Sequence, residues 1–191
     1  MSAGFVLDLH RCVGCGACVL ACRIENGRIT TAAWRRVLPL NLRRYDAGPT
    51  YFLSVACHHC DQPACLQGCP SGAYEKRPDG IVVHVEDRCL GCRYCEMTCP
   101  FGTPQFDQDR GVMSKCHLCV HRVDQGRAPA CVAACPTEAL TFATDVDNAH
   151  MRPFVPGFAD PAGCRPNLRF RTPAGSTRAG RFDALEERLR R

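Results

Sequence analysis

The sequence predicts an α+β fold made of two small modules of short helices and hairpins, one inserted in the other, with an extended C-terminal arm. Three observations predict it. Sixteen of the seventeen cysteines in these 191 residues fall into four groups of four, separated by gaps of a few residues. Similar segments trail three of the groups, as internal repeats do: Cys-Pro-Ser-Gly-Ala-Tyr from Cys69, Cys-Pro-Phe-Gly-Thr-Pro from Cys99 and Cys-Pro-Thr-Glu-Ala-Leu from Cys135. Aromatic and large aliphatic residues are few for this length, so inorganic centres have to supply much of the core.

The four groups are Cys12-x2-Cys15-x2-Cys18-x3-Cys22, Cys57-x2-Cys60-x4-Cys65-x3-Cys69-Pro70, Cys89-x2-Cys92-x2-Cys95-x3-Cys99-Pro100 and Cys116-x2-Cys119-x11-Cys131-x3-Cys135-Pro136, leaving Cys164 over. Such density in a secreted chain suggests disulfides. Here the gaps are too short to staple distant segments, and Met1 to His10 lacks the basic and apolar regions of a signal peptide, so none is expected. Two residues between ligands let a tight loop place successive thiolates on different corners of one cubane. The fourth cysteine, three residues on, begins to follow a helix and points to a neighbouring cluster, and the trailing proline ends the turn. This run marks two-cluster bacterial ferredoxins. Paired Cys-x2-Cys units also make zinc ribbons, and the x11 gap of the fourth group is the least diagnostic.

Each module is expected to follow a ferredoxin-like pattern. Residues 50–110 hold groups two and three. Between them stand Pro78-Asp79-Gly80, a hairpin turn signal, and Ile81-Val82-Val83-His84-Val85, a β-branched run that reads as a strand. Residues 1–49 and 111–145 then form an outer module across this insert. Phe5 to Leu9 and Ala139 to Phe142 are strand candidates that can meet in one sheet. Crossing the fourth cysteines assigns four [4Fe–4S] clusters: Cys57, Cys60, Cys65 and Cys99 hold one, and Cys89, Cys92, Cys95 and Cys69 the next. Cys12, Cys15, Cys18 and Cys135 hold a third, and Cys116, Cys119, Cys131 and Cys22 the fourth. Spacing alone also allows pairing of group one with two and three with four.

Arg93, within group three, and Lys115, before group four, place positive charge near clusters and can raise their potentials; the plainer reading is a solvated side chain or surface ion pair. His58, His59 and His117 stand beside ligands. Because each group already has four cysteines, they are expected around the clusters or at the surface, not as iron ligands. Cys164 is expected to be a plain buried or half-exposed thiol. Residues 146–191 read as the arm, rich in Pro, Gly and Arg. It ends in Arg181 to Arg191, where Phe182, Leu185 and Leu189 recur at helical spacing, either packing on the chain's own domain or docking on a partner.

Other function classes have little support. The net charge of +5 is modest, with no basic stripe for nucleic acid, and no apolar run reaches the roughly 18–20 residues of a membrane-spanning helix. No nucleophile–base constellation, phosphate loop or nucleotide fingerprint is present. No catalytic residue is therefore assigned, and the chain is expected to be a non-catalytic electron relay.

The residues from Cys89 to Phe106 (CLGCRYCEMTCPFGTPQF), with Cys65 to Ala73, Lys115-Cys116 and Arg165-Pro166-Asn167, carry a resemblance that runs from residue 4 to about 172. The chain resembles the four-cluster iron–sulfur electron-transfer subunits of the dimethyl sulfoxide reductase family of molybdopterin oxidoreductases, with polysulfide, tetrathionate and sulfite-oxidising relatives. The resemblance implies two partners, a molybdopterin (molybdenum or tungsten) catalytic subunit and a membrane-anchor, quinone-reactive subunit. It also implies a peripheral place in a membrane-bound complex of anaerobic respiration, on either the cytoplasmic or the periplasmic face. A free soluble polyferredoxin is the rival reading, and a zinc-stabilised interaction module a second one.

Overall fold

The computed structural model describes residues 2–27, 33–39, 51–146 and 163–171. Its first strand, β1 (Gly4–Asp8), is a short apolar run suited to burial on both faces, and Phe5, Val6 and Leu7 are all buried. The group-one loop leads into α1 (Ala17–Glu25), entered through Gly16 in the left-handed conformation. Cys18 and Cys22 are four residues apart and so share one face of this helix, where both are buried. Asn26 closes it: its side-chain amide donates to the Cys22 carbonyl at 2.8 Å, satisfying one of the carbonyls a helix end leaves open. A hairpin follows, with β2 (Arg36–Pro39) antiparallel to β3 (Phe52–Val55), pairing Arg36 with Val55 and Leu38 with Leu53.

The central region alternates helical turns and hairpins: α2 (Ala64–Gln67), β4 (Tyr74–Lys76), β5 (Val82–His84), α3 (Tyr94–Thr98), β6 (Gln105–Asp107) and β7 (Val112–Ser114). β4 and β5 pair antiparallel across the Asp79-Gly80 turn. Gly80 takes positive φ there, and the Asp79 carboxylate accepts from the Ile81 amide at 3.0 Å, so the turn chemistry read from the sequence is the turn observed. β6 and β7 form a matching hairpin, and α2 lies against α3.

The polypeptide then makes α4 (Val120–Val123), α5 (Ala130–Ala133), β8 (Leu140–Ala143) and β9 (Leu168–Arg171). α5 packs on α1, and β8-β1-β9 make one sheet. β1 runs antiparallel to β8, from Gly4 opposite Ala143 to Leu7 opposite Leu140, so the two strand candidates from opposite ends of the sequence do meet. β9 differs from expectation. Residues 163–171 fall in the stretch read as an arm, yet they lie parallel to β1 from Phe5–Leu168 to Asp8–Arg171. Leu168 and Phe170 turn inward and are fully buried, while Arg169 and Arg171 alternate with them, a two-residue period short enough to hide among prolines and arginines. The strands approach so closely that a Cβ on Gly4 would overlap the Asn167 carbonyl, which instead accepts from the Phe5 amide at 3.1 Å. The remainder of the arm and the helix expected over 181–191 lie outside the described residues.

One apolar cluster gathers β1, β3, β8 and β9 with Cys18, Cys22, Cys57, Cys116 and Cys131. A smaller one holds Cys65, Tyr74, Val82, Cys95 and Met113. The cysteines are thus part of the core itself. Among the described residues no helix is long and apolar enough to cross a membrane.

Candidate metal centres

Two turns recur around the cysteines. In the first Cys-x2-Cys loop of each group the residue two after the first cysteine adopts positive φ: Gly14 (72°), His59 (47°), Gly91 (66°) and Leu118 (58°). The turn brings that residue's amide back toward the sulfur in two of them. The Gly91 amide donates to Cys89 Sγ and the Leu118 amide to Cys116 Sγ, each at 3.4 Å. A non-glycine residue held there stores about 1–3 kcal/mol, and His59 and Leu118 are locked in place by complete burial. The second turn follows each Cys-Pro. Gly72, Gly102 and Glu138, three residues after Cys69, Cys99 and Cys135, also have positive φ and donate to that cysteine's carbonyl at 3.3, 3.0 and 3.1 Å.

These turns gather donors around the sulfurs. Burial pushes the Cys69 thiol up, but the Ser71 hydroxyl and the amides of Ala73, Ser71 and Gly72 outweigh it and hold the thiol below its ordinary value. Cys135 is held down in the same way by the Leu140 amide, the Thr137 hydroxyl and the Thr137 and Ala139 amides, again against burial. Elsewhere burial wins: Cys22 is pushed up to about 11, Cys65 to about 12, and Cys116 well above its ordinary value. A buried thiolate set of this kind needs bound cations to be stable.

All sixteen grouped cysteines fall among the described residues. Cys12, Cys15, Cys18 and Cys135 line one cavity. Cys57, Cys60, Cys65 and Cys99 line a second, together with His58, His59 and Cys164. Cys22 lies within electrostatic reach of Cys131 and Cys119, and Cys116 of Cys22 and Cys131. Cys95 has Cys69 and Cys89 beside it, while Cys92 is exposed. Of each cysteine pair four residues apart, Cys18/Cys22, Cys65/Cys69, Cys95/Cys99 and Cys131/Cys135, only one member lines either cavity. The sets also adjoin: Cys65 feels Cys95, Cys116 feels Cys57, and Cys22 feels Cys18.

The donor chemistry suits a cluster better than a single ion. A tetrahedral zinc with bonds of about 2.3 Å would draw its sulfurs to about 3.8 Å of one another. Among the described residues no three His, Cys, Asp or Glu converge as one ion requires. The four thiols of each cavity instead line one shared pocket. Four thiolates around a single pocket, with backbone amides aimed at sulfur, fit a [4Fe–4S] group.

The residues singled out beside the cysteines take distinct places. His58 and His59 are buried, and desolvation holds both neutral. His58 drops to about 3 with Arg35 and Arg36 adding to the effect, and His59 falls well below its ordinary value with Lys115 adding. His59 Nδ1 accepts from the Val82 amide at 3.1 Å. His117 is half-buried, its ring edge-on to Trp34. Arg93 is exposed and paired with Glu96 at 2.9 Å. Lys115 is buried, its ammonium donating to the carbonyls of Val82 and Cys116. Arg35, which spacing did not mark, is buried among the thiols. No sequence signal marked it: Arg35-Arg36-Val37-Leu38 does not alternate polar with apolar residues, although in the structure Arg35 and Val37 turn inward and Arg36 and Leu38 are exposed.

The fold and these sites define a mixed α/β iron–sulfur protein with ferredoxin-like cluster-binding domains. Residues 49–145 match the family described as 4Fe-4S dicluster domain, and residues 5–25 match the 4Fe-4S binding domain. Over 152 residues the sequence is 43% identical to a chain of the anaerobic dimethyl sulfoxide reductase of Escherichia coli K12, covering 73% of this protein and 72% of that one. It is 37% identical over 159 residues to a subunit of the sulfite dehydrogenase of Allochromatium vinosum, covering 72% and 66%. It is 36% identical over 166 residues to the formate dehydrogenase iron-sulfur subunit of Wolinella succinogenes, covering 75% and 82%. The chain thus belongs to the family of iron–sulfur electron-transfer subunits of dimethyl sulfoxide reductase and related oxidoreductases.

Proposed function

We propose that this protein relays electrons through four [4Fe–4S] clusters between a molybdopterin catalytic subunit and a membrane-anchored, quinone-reactive subunit of a respiratory oxidoreductase, at the membrane periphery. Residues 50–110 form a two-cluster module inserted in an outer one (1–49 and 111–145), with 146–191 beyond. Cys12, Cys15, Cys18 and Cys135 hold one cluster; Cys22, Cys116, Cys119 and Cys131 a second; Cys57, Cys60, Cys65 and Cys99 a third; Cys69, Cys89, Cys92 and Cys95 the fourth. The observation that carries the partition is the pair of similar cavities, each lined by three cysteines of one group and the last of another. The adjoining thiols support a linear order, from the Cys69 set through the Cys57 and Cys116 sets to the Cys12 set.

When bound, the clusters supply reversible one-electron oxidation and reduction. The polypeptide does the rest. Its left-handed turns aim amides at thiolate sulfur, its apolar clusters exclude water around the ligands, and its helical turns fix neighbouring thiols at constant separation. The partner assignment is supported by the relatives, whose names make each of them one component of a reductase or a dehydrogenase.

The test is elemental analysis of anaerobically purified protein, with capture of co-purifying chains. Iron and acid-labile sulfide near sixteen each per chain (about four per cluster) are expected. So are a stoichiometric molybdopterin subunit and an unchanged iron count in Cys164→Ala. Cys131→Ser should lose the iron of one cluster. Zinc in place of iron, or a protein that purifies alone with all its clusters, refutes the assignment.

A further inference from the structure

Arg35 is 1% exposed and lies just ahead of β2. Its Nη1 donates to the Ser54 carbonyl at 3.3 Å and to the Ser54 hydroxyl at 3.0 Å, and the guanidinium covers the Phe5 ring at 4.3 Å. Nε and Nη2 are buried with no hydrogen-bond partner, and no described carboxylate pairs with the group. A guanidinium stays charged at every accessible pH. Leaving one buried and uncompensated costs several kcal/mol, so a stable fold must bring an anion to it.

The Phe5 ring that Arg35 covers belongs to the same buried cluster as Cys18, Cys22, Cys116 and Cys131. Among the described residues the largest charges that bear on Arg35 are those of Cys131, Cys116, Cys18 and Cys22. They come from two different sets. Ser54 adds a second link, because the hydroxyl that Arg35 holds lies 3.3 Å from Cys18 Sγ.

We propose that Arg35 is a counter-cation shared by two centres, the one containing Cys22, Cys116 and Cys131 and the one containing Cys18, and that it sets the reduction potentials of both. The proposal rests on the four-cluster reading above. Each reduction adds one electron and one negative charge to a thiolate-ligated centre, and a fixed cation nearby favours the reduced form, raising its potential. Arg35 takes up no proton in the process, so its contribution is independent of pH. The two donors without a partner are the atoms free to face the anionic centres.

The experiment is an anaerobic redox titration followed by electron paramagnetic resonance, on protein carrying its clusters. Wild type is compared with Arg35→Met, Arg35→Lys and Ser54→Ala. Arg35→Met is expected to disfavour reduction of two centres, and only two, by tenfold or more. For a one-electron couple that is a fall of about 59 mV or more, the same at pH 6.5 and 8.5, with the iron count unchanged. Arg35→Lys should restore most of the potential. If Arg35→Met fails to fold, Ser54→Ala still reads the link to Cys18, and one centre should fall. Unshifted potentials, equal shifts in all four centres, or iron loss without a shift in the remaining centres would each overturn the proposal. A wild-type iron count far from sixteen would instead sink the four-cluster reading on which it rests.

Discussion

Replacing Asn167 by alanine tests how the segment around β9 holds a ligand loop in place. Asn167 is fully buried, and its side-chain amide donates to the His59 carbonyl at 2.7 Å and to Asp61 Oδ1 at 3.1 Å. Its backbone stays tied, with its amide on the His58 carbonyl and its carbonyl accepting from Phe5, so the substitution removes only the two side-chain bonds. A buried carbonyl left without a donor costs about 1–3 kcal/mol. The bond to the charged Asp61 adds about 1 kcal/mol, below the roughly 1.5–3 kcal/mol of such bonds because Asp61 keeps Ser2 at 2.9 Å and Lys76 at 3.4 Å. The sum is about 3 kcal/mol, or roughly a hundredfold in the equilibrium for opening the loop from Cys57 to Gln62. The assay is anaerobic loss of absorbance near about 400 nm in the presence of an iron chelator, under conditions where opening limits the rate. One quarter of the signal should bleach roughly a hundredfold faster than in wild type, the rest at the original rate. A change smaller than about threefold, or uniform bleaching, would refute the argument that Asn167 clamps this loop.

Two further outcomes follow from the same geometry. Lys115→Met should lower the potential of an adjoining centre by more than Arg93→Gln does. Lys115 is buried and bears on Cys65, whereas Arg93 is exposed and already paired with Glu96; equal shifts in a redox titration would contradict this. The Asp61 contribution should depend on pH. Burial would raise its carboxyl, but bonds from Asn167, Ser2 and Lys76 outweigh that and hold it below the ordinary 3.8. Its stabilisation is therefore complete above that value and is lost as pH falls through the lower, folded-state value. The ratio of bleaching rates between Asp61→Asn and wild type should stay constant from about pH 8 to 5 and shrink below about pH 4. A ratio that grows on acidification would be the wrong sign.

What the sequence revealed and what it hid divide along a physical line. Ligand loops are local: Cys-x2-Cys spacing and Asp79-Gly80 constrain a few dihedrals each, so the cysteine groups and the β4–β5 hairpin could be read directly. The meeting of β1 with β8 was legible because both ends of the pair carry an apolar run. β9 was not, since its two inward residues, Leu168 and Phe170, are set among Arg, Pro and Gly and its parallel partner lies some 160 residues away. Arg35 was hidden for a different reason. An arginine in a sequence is taken to face water, and its burial makes sense only once sulfurs from distant groups have been gathered around it. Arg93 takes the plainer of its two readings, an exposed side chain paired with Glu96, although it lies between two cysteines of one group.

The placement of Cys18 and Cys22 on one short rod has a consequence for how such a protein can change. Four residues of α-helix advance about 6 Å, and one added residue would swing the second sulfur by about 100°. Cys119 and Cys131, by contrast, are joined by α4 and a turn and not by one continuous helix. Drift in length should therefore fall outside α1 and never within it, which makes the step from Cys18 to Cys22 a fixed gauge of the wiring.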